Sequence, residues 1–222
     1  MMIWALIPVK VFADAKSRLS SVLTPDQRAK LAQAMFRDTL SATALAEGLD
    51  GIAVVTKDPE AAEIARLAGA CVIEDQTQDL NDALTAGRMT LQEQLGAIDL
   101  IIIPADLPAV RASDIDGFIA ARRTPTQILL SPDSEGDGTN MLLTGAMTDF
   151  PYAFGPASYQ RHISQAKDLG YEVTTFERAR ISADLDNPSD IDGIWQHAPG
   201  EHTKRALEAF CLSSHWPLKE VS

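Results

Sequence analysis

The sequence predicts an α/β protein, a single domain with a mostly parallel, twisted sheet and helices on both faces. Three observations carry this. Strand-like apolar runs alternate with helical stretches along the chain, the rhythm of βαβ units. The run DLIIIPAD at 99–106 is continuously apolar from Leu100 to Pro104, as a strand buried on both faces should be. Finally, 222 residues with 45% hydrophobic content suit one large core, and neither a Gly/Pro/Ser-rich linker nor an internal repeat divides them.

The elements follow in order. The opening MMIWALIPV is apolar but short and has no basic residue ahead of it. It therefore reads as a buried first strand rather than a signal peptide or membrane span. A helix opens at Thr24-Pro25-Asp26-Gln27, with Thr24 as N-cap, Pro25 at the first helical position and Gln27 closing a capping box. Leu31, Ala34, Met35, Ala42 and Leu45 form its apolar stripe, on which Asp38 falls without a sequence-level reason. GIAVVT at 51–56 is a strand; Asp58-Pro59 caps a helix that Gly69 ends. A strand at 70–74, a helix at 80–96 and the strand at 99–106 come next. Then follow a helix near 113–122, the strands QILLS and NMLLT, a helix over 156–169, the strand YEVTTF, and a helix from Pro188 to about His197. Residues 1–197 thus read as the domain and 198–222 as a tail with one short helix near 203–212.

The net charge of −12 argues against a nucleic-acid partner, which needs a broad basic face, but permits a small anionic substrate in a locally basic cleft. Two cysteines, Cys71 and Cys211, are too few for a disulfide framework and fit a reducing cytoplasm. His197, His202, Cys211 and His215 cluster in the tail at spacings that match no common zinc pattern.

Ligands of open α/β sheets sit beyond the carboxyl ends of the strands, so chemistry is sought just after each strand. Lys10, Lys16 and Arg18 follow the first one; three cations so close suit a polyphosphate, or else form a solvated basic turn. Lacking glycines, this loop is neither a P-loop nor a dinucleotide fingerprint. Asp106 ends the most apolar strand, between Pro104 and Pro108, as a functional carboxylate or a local turn acceptor. GDGTN at 136–140 offers the Thr139 and Asn140 side chains, though a hairpin turn accounts for it first. In FGPASYQRH, Gly155 and Pro156 precede a helix whose first-turn N–H groups would face an anion. Ser158, Arg161 and His162 lie close by, and ordinary capping and a solvated helix face are the competing explanation. In SADLDNPSD, Asp184 and Asp186 fall on one face if the segment is extended, two like charges without a partner. Asn187 reads as the cap of the following helix, with Asp190 in its first turn.

Taken in order, Pro8-Val9-Lys10, Ala15 to Leu19, Leu80-Asn81, Asp106-Leu107-Pro108, Asp137 to Asn140, Phe154-Gly155-Pro156, Arg161-His162 and Asp184-Leu185-Asp186 resemble the phospholactate guanylyltransferase family of coenzyme F420 biosynthesis. The resemblance spans roughly residues 3 to 196. It implies a nucleotide-diphospho-sugar transferase-like, Rossmann-like fold. It implies GTP as donor and a small phosphorylated acid as acceptor: 2-phospho-L-lactate, phosphoenolpyruvate or 3-phosphoglycerate. It further implies Mg²⁺ on Asp106, Asp184 and Asp186, a cation that would also supply the aspartate pair with its missing partner. Nucleotide contacts carry over to Lys10, Lys16, Arg18 and Asn81, and acceptor contacts to Thr139, Gly155 and Ser158, with Asn140, Arg161 and His162 beside them. In-line phosphoryl transfer asks for positioning and charge neutralisation, so Lys10, Lys16, Arg18 and Asp106 are the catalytic candidates and no Ser or Cys nucleophile is needed. Where the family pattern has Gly after FGP, this chain has Ala157, which would narrow the acceptor pocket. A sugar-transferring enzyme with DLD as its metal motif and a non-catalytic nucleotide-binding domain are the competing classes. The oligomeric state is open, a homodimer included.

Overall fold

A computed structural model of the protein describes residues 2–146 and 148–212. Seven strands form one sheet in the order β3-β2-β1-β4-β6-β5-β7. They are β1 (Ile3–Val9), β2 (Gly51–Thr56), β3 (Cys71–Glu74), β4 (Asp99–Ile102), β5 (Ile128–Pro132), β6 (Thr139–Thr144) and β7 (Val173–Thr175). All pairings are parallel except the two made by β6, which turns back from β5 as a hairpin. This reversal brings the first residues of β6 to the same sheet edge as the ends of β1 and β4.

The helices are α1 (Pro25–Ala44), α2 (Pro59–Leu67), α3 (Leu80–Leu95), α4 (Ala112–Ala120), α5 (Ser158–Asp168), α6 (Ala179–Ser182), α7 (Asp190–Gln196) and α8 (Glu201–Ala209). One sheet face packs against α1, α2, α4 and α6 through Ile7, Phe36, Ile64, Phe118 and Ile181. The other packs against α3 and α5 through Leu6, Leu84, Leu91, Ile102 and Ala166. A third cluster joins the outer side of α1 to α7 and α8 through Leu31, Met35, Ile194 and Leu207.

The helix starts follow their cap chemistry. Thr24 and Gln27 exchange both capping-box bonds, and Asp58 accepts from Glu60 and Ala61. Elsewhere the expected elements are trimmed. β4 stops at Ile102 because Pro104 lacks a donor for the ladder, which frees residues 103–110 to turn. β7 keeps only three residues of YEVTTF. Leu45, expected in the α1 stripe, is 73% exposed beyond the helix end.

Three expectations are corrected. The segment before Asp184 is a short helix, α6, and residues 183–187 are irregular, so the aspartates are not neighbours on a strand face. Asn187 does not cap α7; instead the Asp190 carboxylate reaches back to accept from the Asp186 and Asn187 amides at 2.9 and 2.7 Å. Residues 198–212 are not a loose appendage. The amides of His202 and Thr203, at the start of α8, donate to the Asp38 carboxylate at 3.1 and 2.7 Å. Asp38 thus caps α8 from the middle of α1, which explains its place on an apolar stripe. A Cβ on Gly200 would come within 2.3 Å of this carboxylate. His215 and residues 213–222 lie outside the described residues.

Candidate active site

The basic loop is built by β2 as much as by β1. Thr56 Oγ1 donates to the Val9 carbonyl at 2.8 Å. Asp58 caps α2 with one carboxylate oxygen and takes the Phe12 amide with the other, at 2.8 Å. Two 3-10 turns, Phe12–Asp14 and Ser17–Ser21, seat Phe12 and Leu19 in the core and leave Lys16 between them at φ 54°, ψ 39°. That left-handed geometry disfavours a side-chain-bearing residue and turns Lys16 inward. Its ammonium bridges Asp106 at 2.6 Å and Asp186 at 2.7 Å, with the side chain only 7% exposed. Burial works against this charge, but the two carboxylates outweigh it and hold the Lys16 pKa above the ordinary lysine value. Arg18, largely exposed, reaches the other oxygen of Asp186 at 3.3 Å.

Asp106 and Asp186 therefore meet across Lys16 from distant parts of the chain, whereas Asp184 is linked to them only through charge. Burial raises the Asp186 pKa; Lys16, Arg18 and Lys10 overcome that and hold it below the usual carboxylate value. Asp184 is pushed up to about 6, first by burial and then by the negative charge of Asp106. Its polar partner is the buried Asn140, whose Nδ2 donates to Asp184 at 3.2 Å and to the Ile181 carbonyl at 2.9 Å. Asn140, expected at the substrate, thus holds a carboxylate and the end of α6. The Arg180 guanidinium fixes α6 from the other side with two bonds to Asp114, at 2.6 and 2.7 Å.

Lys10, Lys16, Arg18, Asp106 and Asp186 line one cavity of about 530 Å³. Lys57, which the sequence reading passed over, also lines it. It follows β2 directly, so the same post-strand rule that singled out Lys10 finds it.

Among the described residues, no three His, Cys, Asp or Glu side chains are spaced as a ready metal site, because Lys16 stands between two of the aspartates. The donor set nonetheless fits a hard divalent cation. It offers carboxylate oxygens only, and Asp184, kept near 6 by burial and a negative neighbour, lies where added positive charge is favourable.

The remaining candidates, Asp184 among them, lie outside the lining of that cavity, and Thr139 and Ser158 are almost wholly buried. Asp133 accepts from the amides of Glu135, Asp137 and Gly138, making GDG the hairpin loop that the turn reading expected. Asp137 accepts from Ala157 through its carboxylate and from Tyr159 through its carbonyl; Ser158 donates to the Gly155 carbonyl. The Ala157, Ser158 and Tyr159 amides, among those expected to face an anion, are consequently spent on the chain itself. Gly155, at φ 122°, keeps an amide with no acceptor among the described residues. Arg161 donates to the Ala153 carbonyl at 2.7 Å, and its guanidinium flanks Gly155. Asn81, expected at the nucleotide, instead pairs both amide atoms with the Phe154 backbone, at 2.7 and 3.1 Å. His162 is wholly buried behind Thr139.

A match to the family model for CofC-like guanylyl transferases runs over residues 3–217, nearly the whole chain. The chain belongs to that family. Members similar to it include a phosphoenolpyruvate guanylyltransferase from Rubrobacter xylanophilus, 38% identical over 86% of this chain and 92% of that one. A 3-phospho-D-glycerate guanylyltransferase from Phenylobacterium zucineum is 33% identical, covering 96% and 97% of the two chains. A 2-phospho-L-lactate guanylyltransferase from Methanocaldococcus infernus is 31% identical, covering 92% and 89%. Among solved structures, a protein assigned as a nucleotide-diphospho-sugar transferase from Desulfovibrio desulfuricans G20 superposes with a TM-score of 0.73 at 14% identity, covering 95% and 97%. It shares the fold. This guanylyl transferase is accordingly an α/β nucleotidyltransferase, and the competing sugar-transfer and non-catalytic readings fall away.

Proposed function

We propose that this guanylyl transferase moves GMP from GTP onto the phosphate of a small phosphorylated acid, in the assembly of coenzyme F420. Phosphoenolpyruvate, 2-phospho-L-lactate and 3-phosphoglycerate are the candidate acceptors. An acceptor phosphate oxygen attacks the α-phosphorus, a new P–O bond forms, the bond to the bridging β-phosphate oxygen breaks, and pyrophosphate leaves. The observation that carries this reading is the pairing, in one cavity, of Lys10, Lys16, Arg18 and Lys57 with Asp106 and Asp186 at the carboxyl ends of the strands. The lining sets these four cations against five carboxylates, Asp14, Asp75 and Asp79 being the other three, so a triphosphate there needs the added charge of a divalent cation beside the four side chains.

Mg²⁺ would be held by Asp106, Asp184 and Asp186 and would neutralise charge on the phosphates. Lys16 would then turn its ammonium from the aspartates to the triphosphate, with Arg18 and Lys10 at the cavity wall. The acceptor is held by Thr139, Ser158 and the Gly155 amide, with the Arg161 guanidinium alongside. The free thiols Cys71 and Cys211 fit a cytoplasmic enzyme, and no helix among the described residues is long and apolar enough to cross a membrane.

Pyrophosphate release with GTP, ATP and CTP against the three acceptors tests the reading. GTP with one of them should turn over fastest. Equal rates with all three nucleotides would sink the guanine assignment, and no release with any acceptor would sink the reaction.

A further inference from the structure

His162 lies on α5 between the rings of Phe150 and Phe154, at centroid distances of 5.9 and 5.0 Å. Its Nε2 faces the Ala153 amide at 3.0 Å, and its Nδ1 faces Thr139 Oγ1 at 3.0 Å. A backbone N–H only donates, so Nε2 must carry a lone pair. Burial, helped by the Arg161 charge, lowers the ring's pKa to about 4 and keeps it neutral. A neutral imidazole has one N–H. That proton is therefore on Nδ1, and His162 donates to Thr139.

The consequence is a count of protons. The Thr139 and Ser158 hydroxyls lie 3.3 Å apart and share one hydrogen bond. Between them they own two protons, and Nδ1–H already fills one lone pair of Thr139. One hydroxyl proton is left over, whichever of the two donates to the other. With the opposite tautomer, Thr139 would donate to Nδ1 and Ser158 to Thr139, and nothing would be left. The nearby Gly155 amide is also a donor without an acceptor among the described residues.

We infer that His162 is a positioning residue: locked by the Ala153 amide with its proton on Nδ1, it makes the Thr139–Ser158 hydroxyl pair a net donor toward an anionic group of the acceptor. The inference rests on the proposed reading for the identity of that acceptor, but the proton wiring stands without it. A carboxylate or phosphate, which only accepts, fits the surplus donor; a neutral hydroxyl in the same place gains less.

Two arms test it. Nitrogen NMR of histidine-labelled protein without substrate should show the signal lost in His162→Asn as protonated at Nδ1, bare at Nε2 and unchanged between about pH 5 and 8. A proton on Nε2 overturns the inference whatever the enzyme catalyses. In the kinetic arm, His162→Asn keeps a donor near Nδ1, while His162→Gln reaches only the Nε2 position. With GTP and whichever of the three phospho-acids the wild type uses, the Asn variant should hold its acceptor KM within about threefold. The Gln variant should raise acceptor KM about tenfold or more, with GTP KM and kcat at saturating acceptor within about threefold. Equal acceptor KM values in the two variants, with both still folded, or a GTP KM that rises alongside, overturn it. A wild type inactive with all three acids would instead remove the functional reading and leave the NMR arm to decide His162.

Discussion

Asp184 and His162 titrate oppositely in the same acidic range. The folded pKa of Asp184 is raised to about 6, so between about pH 4 and 6 the folded state binds more protons than the unfolded one. Its penalty is full above pH 6 and fades on acidification. His162 is lowered to about 4, so between about pH 4 and 6.5 the unfolded state binds more protons, and stability is lost as pH falls. The groups facing its ring are Arg161, Thr139 and the two phenyl rings. The two slopes partly cancel in the wild type. Asp184→Asn should therefore steepen the acid-side loss and raise metal-free stability at pH 7 by about 1–2 kcal/mol after solvent screening. His162→Asn should flatten that loss. Denaturant midpoints from pH 4 to 7 check both signs, and parallel curves for all three proteins would refute them.

The same residues separate stability from turnover. Asp106→Asn, Asp184→Asn and Asp186→Asn should each cut kcat by about a hundredfold or more if the carboxylates hold the metal. Only Asp184→Asn should also stabilise the protein without metal, because the other two changes remove a partner from the buried Lys16. Turnover near normal in all three at low Mg²⁺ would make the aspartates structural. The three carboxylates were legible in the sequence. Lys16 as the counter-charge between Asp106 and Asp186 was not, since its contacts span 90 and 170 positions.

At the scale of elements, the segment proposed to hold the acceptor carries a left-handed residue at the start of α5. Ala157 has φ 54° and is exposed, with its amide held by Asp137. Its methyl group thus costs backbone energy rather than filling a buried part of the pocket. A left-handed alanine costs about 1–2 kcal/mol, and glycine gives part of the relief back as unfolded-chain entropy. Ala157→Gly should raise stability by about 0.5–1 kcal/mol with acceptor KM near wild type. A large change in KM would mean that the methyl reads the acceptor after all. The glycine of the family pattern, absent here, pointed to this spot, but the φ that gives it meaning is a tertiary property. Asn81 was similarly visible as a motif residue and invisible as the clamp on Phe154, because side-chain amides pair across distances that no spacing rule encodes.

For the whole molecule, strand sequence and burial were readable because apolar runs and caps are local, and the mostly parallel sheet followed from their alternation. The tail was misread because α8 is polar over most of its surface and takes its cap from another helix. Leu207 and Leu212 are wholly buried beside Leu31 and Met35, and Trp195 donates to the Leu212 carbonyl at 2.8 Å. Burying two leucines stabilises by about 1.5–3 kcal/mol each, and the two charge-assisted bonds at Asp38 add about 1.5–3 kcal/mol apiece. No candidate site residue lies beyond Asp186. Deleting residues 200–222 should therefore cost several kcal/mol in denaturant melts while kcat per folded molecule stays near wild type at low temperature. Asp38→Ala should reproduce about 2–4 kcal/mol of that loss, since it removes the cap and leaves the chain intact. A truncated protein as stable as the full chain would return α8 to the status of an appendage, and one that folds but transfers nothing would place part of the active site within it.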